Sequence, residues 1–188
     1  MQIKAEGVGS ENRTRDACSG TGSVQVGCRG PLLGQNGVLH HLGFVVASIS
    51  KTGEQFAACI AACWDGTVIH DPLQRVRVAF LSPSDPRNPV FELVEPACDL
   101  SPVSTFLKKK GPGLHHVCYE IDDLDSGLRE AKATGLAIVA APVPAVAFGG
   151  RRIAWVCSRG RLLMELLERD QNQRANGSQD ARTKPTYA

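Results

Sequence analysis

One pattern is written twice in this chain, and the repetition constrains its fold more than any other feature. His41 opens HLGFVVASI, and 75 positions later His116 opens HVCYEIDDL. Glu92 in VFELVE and Glu165 in LMELLE stand 73 positions apart. Inside the halves, His41 precedes Glu92 by 51 positions and His116 precedes Glu165 by 49. Each half reads strand, helix, strand, strand, strand, so the chain carries an internal repeat. The expected fold class is α+β, with two βαβββ modules at about 37–97 and 113–168 forming a curved mixed sheet. A pseudo-twofold between the modules would bring two histidines and two glutamates together.

The local signals support this order. Val38 to Val46 is β-branched and apolar, which predicts a strand, and Ser48 to Ser50 offer caps for a helix through EQFAACIAACW. Phe56, Ile60 and Trp64 form a core stripe at helical spacing, and Gly66 ends the segment. Strands follow at Thr67 to His70, at RVRVAFL and at Val90 to Val94. In the second of these, Val76, Val78 and Phe80 alternate with Arg75, Arg77 and Ala79, which predicts one buried face. Ser101-Pro102 starts a short connector helix that Gly111 stops. In the second half, Asp122 or Asp123 caps a helix to about Thr134, with Leu124, Leu128 and Ala131 inward. LAIVA then reads as a short strand, PVPAVAFGG as a loop, and RRIAWVCS and LLMELLE as the last two strands. Strand alternation lets only one of His115 and His116 share a face with Cys118 and Glu120, and the repeat selects His116. His40 and His115 are expected to point outward, and His70 is expected at the surface.

Composition enters through what it excludes. A formal charge of +2, scattered basic clusters and 5% aromatic content give no nucleic-acid footprint. Seven cysteines without a CxxC pair read as free thiols of a reducing compartment, with Cys59 and Cys63 as small buried hydrophobes. No segment approaches a membrane span and no apolar leader is visible, so a cytoplasmic location is expected, with no membrane partner. Residues 1–36 and 169–188 are rich in polar residues and glycine and are expected to be disordered tails around a domain at 37–168.

Two imidazoles and two carboxylates suit one divalent ion of Co, Ni, Mn, Zn or Mg, and the candidate ligands are His41, Glu92, His116 and Glu165. The phrases HLGFVV, VFELVEP, GLHHVCYEIDDLD and LLMELLE resemble the vicinal oxygen chelate superfamily, the glyoxalase and bleomycin-resistance proteins. Within it, GLHHVCYEIDDLD, GGRRIAWV and MELLE are most similar to the methylmalonyl-CoA epimerase branch, over about residues 38–168. The resemblance implies the same four residues as ligands around a metal-binding cleft, with Glu92 at a position where that branch also uses Gln. It implies a metal-dependent isomerase or epimerase that removes a proton α to a carbonyl through a metal-stabilised enediolate. Glu165 would be the first base and Glu92 its counterpart. The substrate would be an acyl-CoA, another thioester or a 2-oxo compound, and the chain would pair as a homodimer. Arg77 is a candidate for gripping a substrate carboxylate, and Gly149, Gly150 and Arg151 for letting backbone amides approach it. The alternatives are a lactoylglutathione lyase-type glyoxalase and a non-catalytic drug-sequestering protein of the bleomycin-resistance type. An iron extradiol dioxygenase fits less well, because two histidines and one carboxylate would leave Glu92 surplus.

Overall fold

The computed structural model describes residues 37–170. The expected tail at 1–36 and residues 171–188 of the other lie outside the described residues. Arg169, assigned to that tail, is instead held to the sheet: its amide donates to the Ile121 carbonyl at 2.8 Å, and its guanidinium meets Glu120 and Asp122.

The first half runs β1 (Val38–Val45), α1 (Ile49–Cys59), β2 (Ala62–Cys63), β3 (Ile69–Asp71), β4 (Val76–Pro83) and β5 (Val90–Pro96). Helix α2 (Pro102–Lys110) leads into the second half, which runs β6 (Gly113–Ile121), α3 (Leu124–Ala133), β7 (Ala137–Pro144), β8 (Arg152–Cys157) and β9 (Leu163–Glu168). The nine strands of the described residues form one mixed sheet in the order β2-β4-β5-β1-β6-β9-β8-β7, with β3 also on β4. The pseudo-twofold runs between β1 and β6, which pair antiparallel. On either side the pattern repeats, because β5 lies parallel to β1 and β9 parallel to β6. Each is followed outward by an antiparallel neighbour, β4 or β8. This is the expected pair of βαβββ modules in one α+β sheet, with β2 as an added two-residue strand.

Each half packs a helix on one face of its strands. Ile49 and Ala57 of α1 meet Ala79, Leu81 and Leu93, while Leu124, Leu128 and Ala131 of α3 meet Ala154, Val156 and Leu166. The opposite face carries a second apolar layer that includes Val45, Val76, Val78, Phe80, Val94, Ile153 and Leu167. Strand β4 is therefore buried on both faces along Ala79 to Leu81, not on one. Its alternation was concealed because alanine and leucine on the helix side are as apolar as the valines opposite.

Three further expectations are corrected. Helix α1 ends at Cys59, because Ala61 turns into a left-handed conformation (φ 51°) and Ala62–Cys63 pairs with β4. Trp64 reaches the core from beyond the helix: a Cβ on Gly53 would lie 2.4 Å from its ring, so that glycine makes room for the indole. Cys59 and Cys63 are exposed, since each faces outward between residues that pack on the core, Ala57 and Ile60 around the first and Ala62 and Trp64 around the second. Finally, PVP continues β7 as far as Pro144, and only the stretch Val146–Phe148 is a 3-10 turn. Proline is tolerated there because β7 is an edge strand with no outer partner needing its N–H.

Candidate metal centre and its cavity

The sheet face opposite α1 and α3 collects the repeated residues. His41 on β1 and His116 on β6 turn their Nε2 atoms to within 3.1 Å of each other. Glu92 Oε2, from β5, lies 3.4 Å from His41 Nε2 and 3.3 Å from His116 Nε2. Glu165 Oε2, from β9, lies 3.2 and 3.6 Å from the same two atoms. All four side chains are buried. Donors that bind one ion at about 2.1 Å stand about 3.0 to 3.4 Å apart when they are neighbours in its coordination shell. The observed spacings lie near that range, and the ligand atoms of His41, Glu92 and His116 all lie within 4.8 Å of one another, so these three could hold a divalent cation, with Glu165 Oε2 against both imidazoles. Two buried carboxylates against two imidazoles also require positive charge between them. Burial by itself would raise the Glu92 pKa, but His41 and His116 outweigh it and hold the carboxyl well below its usual range. Burial likewise opposes charge on His41, yet the carboxylates of Glu92 and Glu165 beside it push its pKa well above the ordinary imidazole value. Cys118, opposite His41 in the ladder, stays a thiol because burial raises its pKa.

The surroundings of the histidines are specific. Gly43 faces His116 across the β1–β6 ladder, and the imidazole occupies the space where any other side chain would begin. Phe148 stacks on His41 at 5.8 Å between centroids, and Trp155 meets His116 edge-on at 4.8 Å. Neither aromatic was singled out by sequence. The signal available was position: Phe148 directly precedes the glycine turn, and Trp155 lies on β8 opposite Glu165 in the β8–β9 ladder. His40 and His115 do not point outward: each turns its Nδ1 toward the Nδ1 of the histidine that follows it, at 2.9 and 3.1 Å. Burial first, then the neighbouring His41, pushes the His40 pKa down to about 3, and burial and His116 push His115 down to about 4.

A cavity of about 420 Å³ opens beside the centre. Glu92, His116 and Glu165 form its polar end, and Val76, Val78, Val103, Phe148 and Trp155 are among its apolar walls. Arg75 is the one Lys or Arg among the described residues lining it. Arg77, the arginine favoured by sequence, is absent from the lining. Its side chain faces the helix side of β4 and pairs with Glu95, whose other oxygen accepts the Ile49 N–H at 2.7 Å at the start of α1. Period-two alternation would put Arg75 and Arg77 on one face, but Arg75 lies just before β4 in a left-handed conformation (φ 57°), which frees it from the strand's alternation and lets it line the cavity.

Gly149, Gly150 and Arg151 are not in the lining either. The Gly149 and Gly150 amides donate to the Val146 and Ala145 carbonyls at 3.2 and 3.0 Å, closing a turn with φ of 62° and 82°. Arg151 pairs with Glu120 at 2.6 Å and lies over the Phe148 ring. The glycine turn thus seats Phe148 against His41, and its amides are already used.

Residues 40–155 match the profile of the Glyoxalase/Bleomycin resistance protein/Dioxygenase superfamily. The chain belongs to that superfamily. Within the superfamily it is similar to the ethylmalonyl-CoA/methylmalonyl-CoA epimerase of Cereibacter sphaeroides, 26% identical over 121 residues, 64% of this chain and 87% of the relative. It is 33% identical over 85 residues to the mitochondrial methylmalonyl-CoA epimerase of Dictyostelium discoideum, a match that spans 44% of this chain and 51% of that one. Among solved structures, the methylmalonyl-CoA epimerase of Mycobacterium tuberculosis superposes with a TM-score of 0.62 at 25% identity, covering 73% of this chain and 91% of that chain. The superfamily member described here is thus epimerase-like in its relatives and glyoxalase-like in its sheet. No helix among its described residues is long and apolar enough to cross a membrane.

Proposed function

We propose that this chain is a metal-dependent epimerase that moves the proton α to the carbonyl of an acyl thioester such as methylmalonyl-CoA. The observation that carries this reading is that Glu92 and Glu165 both line the cavity while each also lies against both imidazoles. A divalent ion held by His41, Glu92, His116 and Glu165 would supply Lewis-acid stabilisation of the charge that develops on a carbonyl oxygen as its neighbouring carbon loses a proton. The protein's own side chains do the proton transfer. Glu165 takes the proton from one face, and the C–H electron pair moves toward the carbonyl oxygen. Glu92 is its counterpart on the other face: once it has taken up a proton, at the expense of its contacts with His41 and His116, it returns that proton to the carbon, and the opposite epimer uses the pair in the reverse sense. Val76, Val78, Phe148 and Trp155 keep water from the acyl group, which strengthens the electrostatics of the site. Arg75, just before β4, is placed to meet negative charge elsewhere on the substrate.

The test is exchange of the α-proton of methylmalonyl-CoA and ethylmalonyl-CoA into deuterated water, followed by NMR with Co-loaded chain. Wild type should exchange it, and Glu165→Gln should slow exchange by about 100- to 10,000-fold while the fold persists. A Co-loaded wild type that leaves both thioesters unexchanged would sink the proposal.

A further inference from the structure

Each metal-facing histidine follows another histidine, and the fold brings both pairs onto one face. In a regular strand, His40 and His115 would point away from His41 and His116. The β1–β6 ladder breaks that rule in two places. Its register shifts between Leu39 and His41, and again between Gly43 and Phe44, whose partners are His116 and Leu114. The extra residue of the first shift is His40 on β1, and that of the second is His115 on β6. A bulge re-aims the side chain it carries, and both bulges fall on the residue before a metal-facing histidine. The outcome is the pair of close Nδ1 contacts, 2.9 Å in the first half and 3.1 Å in the second.

We propose that His40 and His115 are positioning residues that set the ring tautomer and orientation of His41 and His116 for a divalent cation. The inference rests on the metal-site reading above and extends it. A neutral histidine that offers its Nε2 lone pair to a cation carries its ring proton on Nδ1 and donates from there. His40 Nδ1 and His115 Nδ1 stand where that hydrogen bond must be accepted. Accepting it fixes their own ring protons on Nε2. Edge contacts hold the accepting rings in turn: Phe148 against His40 at 5.4 Å, and Phe106 against His115 at 4.9 Å. The same device is built twice from different backbone, since one bulge lies on each strand of the central pair. Ring orientation is thereby settled before an ion arrives.

Titration of metal-free chain with Co2+, by calorimetry and by absorption of the bound ion, tests this without reference to turnover. His40 is the first choice, because His115 also lines the cavity and His40 does not. His40→Ala should weaken Co2+ binding by roughly 10- to 100-fold. His40→Asn, whose amide oxygen accepts the same hydrogen bond, should recover most of that loss. His115→Ala and His115→Asn repeat the comparison from the second half. Equal affinity in wild type and both alanine variants overturns the proposal. So does an asparagine variant as weak as alanine at the same melting temperature, since packing would then explain the loss. Wild type that takes up no cation overturns this inference together with the metal reading. Wild type that binds Co2+ without exchanging an α-proton overturns only the epimerase reading.

Discussion

A side chain at position 43 would place its Cβ 1.9 Å from Cε1 of His116, closer than any two such atoms can stand, so the ring or the strand would have to move. Gly43→Ala is therefore expected to fold with a loss of about 1 to 3 kcal/mol, the usual cost of overpacking, and to lose most of its divalent metal. Denaturant titration and elemental analysis of the same preparation check both parts. Full metal content would show that His116 has another place to go. Arg75, just before β4, and Arg77, within it, make an opposite pair. Arg77 is half-exposed and tied to Glu95, so Arg77→Ala should cost about 0.5 to 1 kcal/mol of stability and leave the KM for thioester unchanged. Arg75 lines the cavity, so Arg75→Ala should raise KM about tenfold for an anionic thioester, the worth of one charge-assisted hydrogen bond, with stability unchanged. Steady-state kinetics beside thermal melts separate these outcomes, and reversed roles would refute the assignment of faces.

Helix α1 is the element where periodicity misled. Phe56, Ile60 and Trp64 do share one apolar cluster, as their spacing predicts, but a helix, its cap and a following loop supply them separately. What stops the helix is Ala61, whose left-handed backbone an alanine adopts at a cost. Its carbonyl accepts both the Ser84 N–H at 2.9 Å and the Ser84 hydroxyl at 2.8 Å, which anchors β2 beside β4. Ala61→Gly should accordingly stabilise the chain by about 0.5 to 1 kcal/mol, because glycine takes this conformation freely, and the gain should appear as a higher melting temperature. An unchanged or lower value would mean that unfolded-chain entropy outweighs the relief. Strand β7 erred in the other direction. Its prolines read as breakers, yet an edge strand needs no donor on its outer side, and edge position cannot be known from local sequence.

At the scale of the whole molecule, the site depends on contacts between halves. Asp71 of β3 is 1% exposed, and its carboxylate accepts from the Gln74 amide at 2.9 Å and, in the other half, from the Val146 amide at 3.2 Å. That second bond fixes the 3-10 turn from which Phe148 reaches His41. Asp71→Ala leaves a donor unmet in each half, so a loss of about 1 to 3 kcal/mol is expected. Faster amide exchange at Val146 and Phe148 should accompany it, and unchanged exchange there would show that the turn is held by the glycine hydrogen bonds alone. The sequence by itself determined the two modules and the four residues of the candidate centre, because period-two and helical patterns, repeated at one spacing, are written in local order. It also marked Asp122 or Asp123 as a helix cap, and Asp123 fills that place, its side chain accepting the Ser126 N–H at 2.8 Å. Only the tertiary structure decided what surrounds that centre. The bulges that turn His40 and His115 inward, the choice of Arg75 over Arg77, the consumed amides of Gly149 and Gly150, and the seating of Phe148 all arise between segments distant in sequence. A register shift or a cavity wall belongs to two strands at once, and neither strand's own pattern records it.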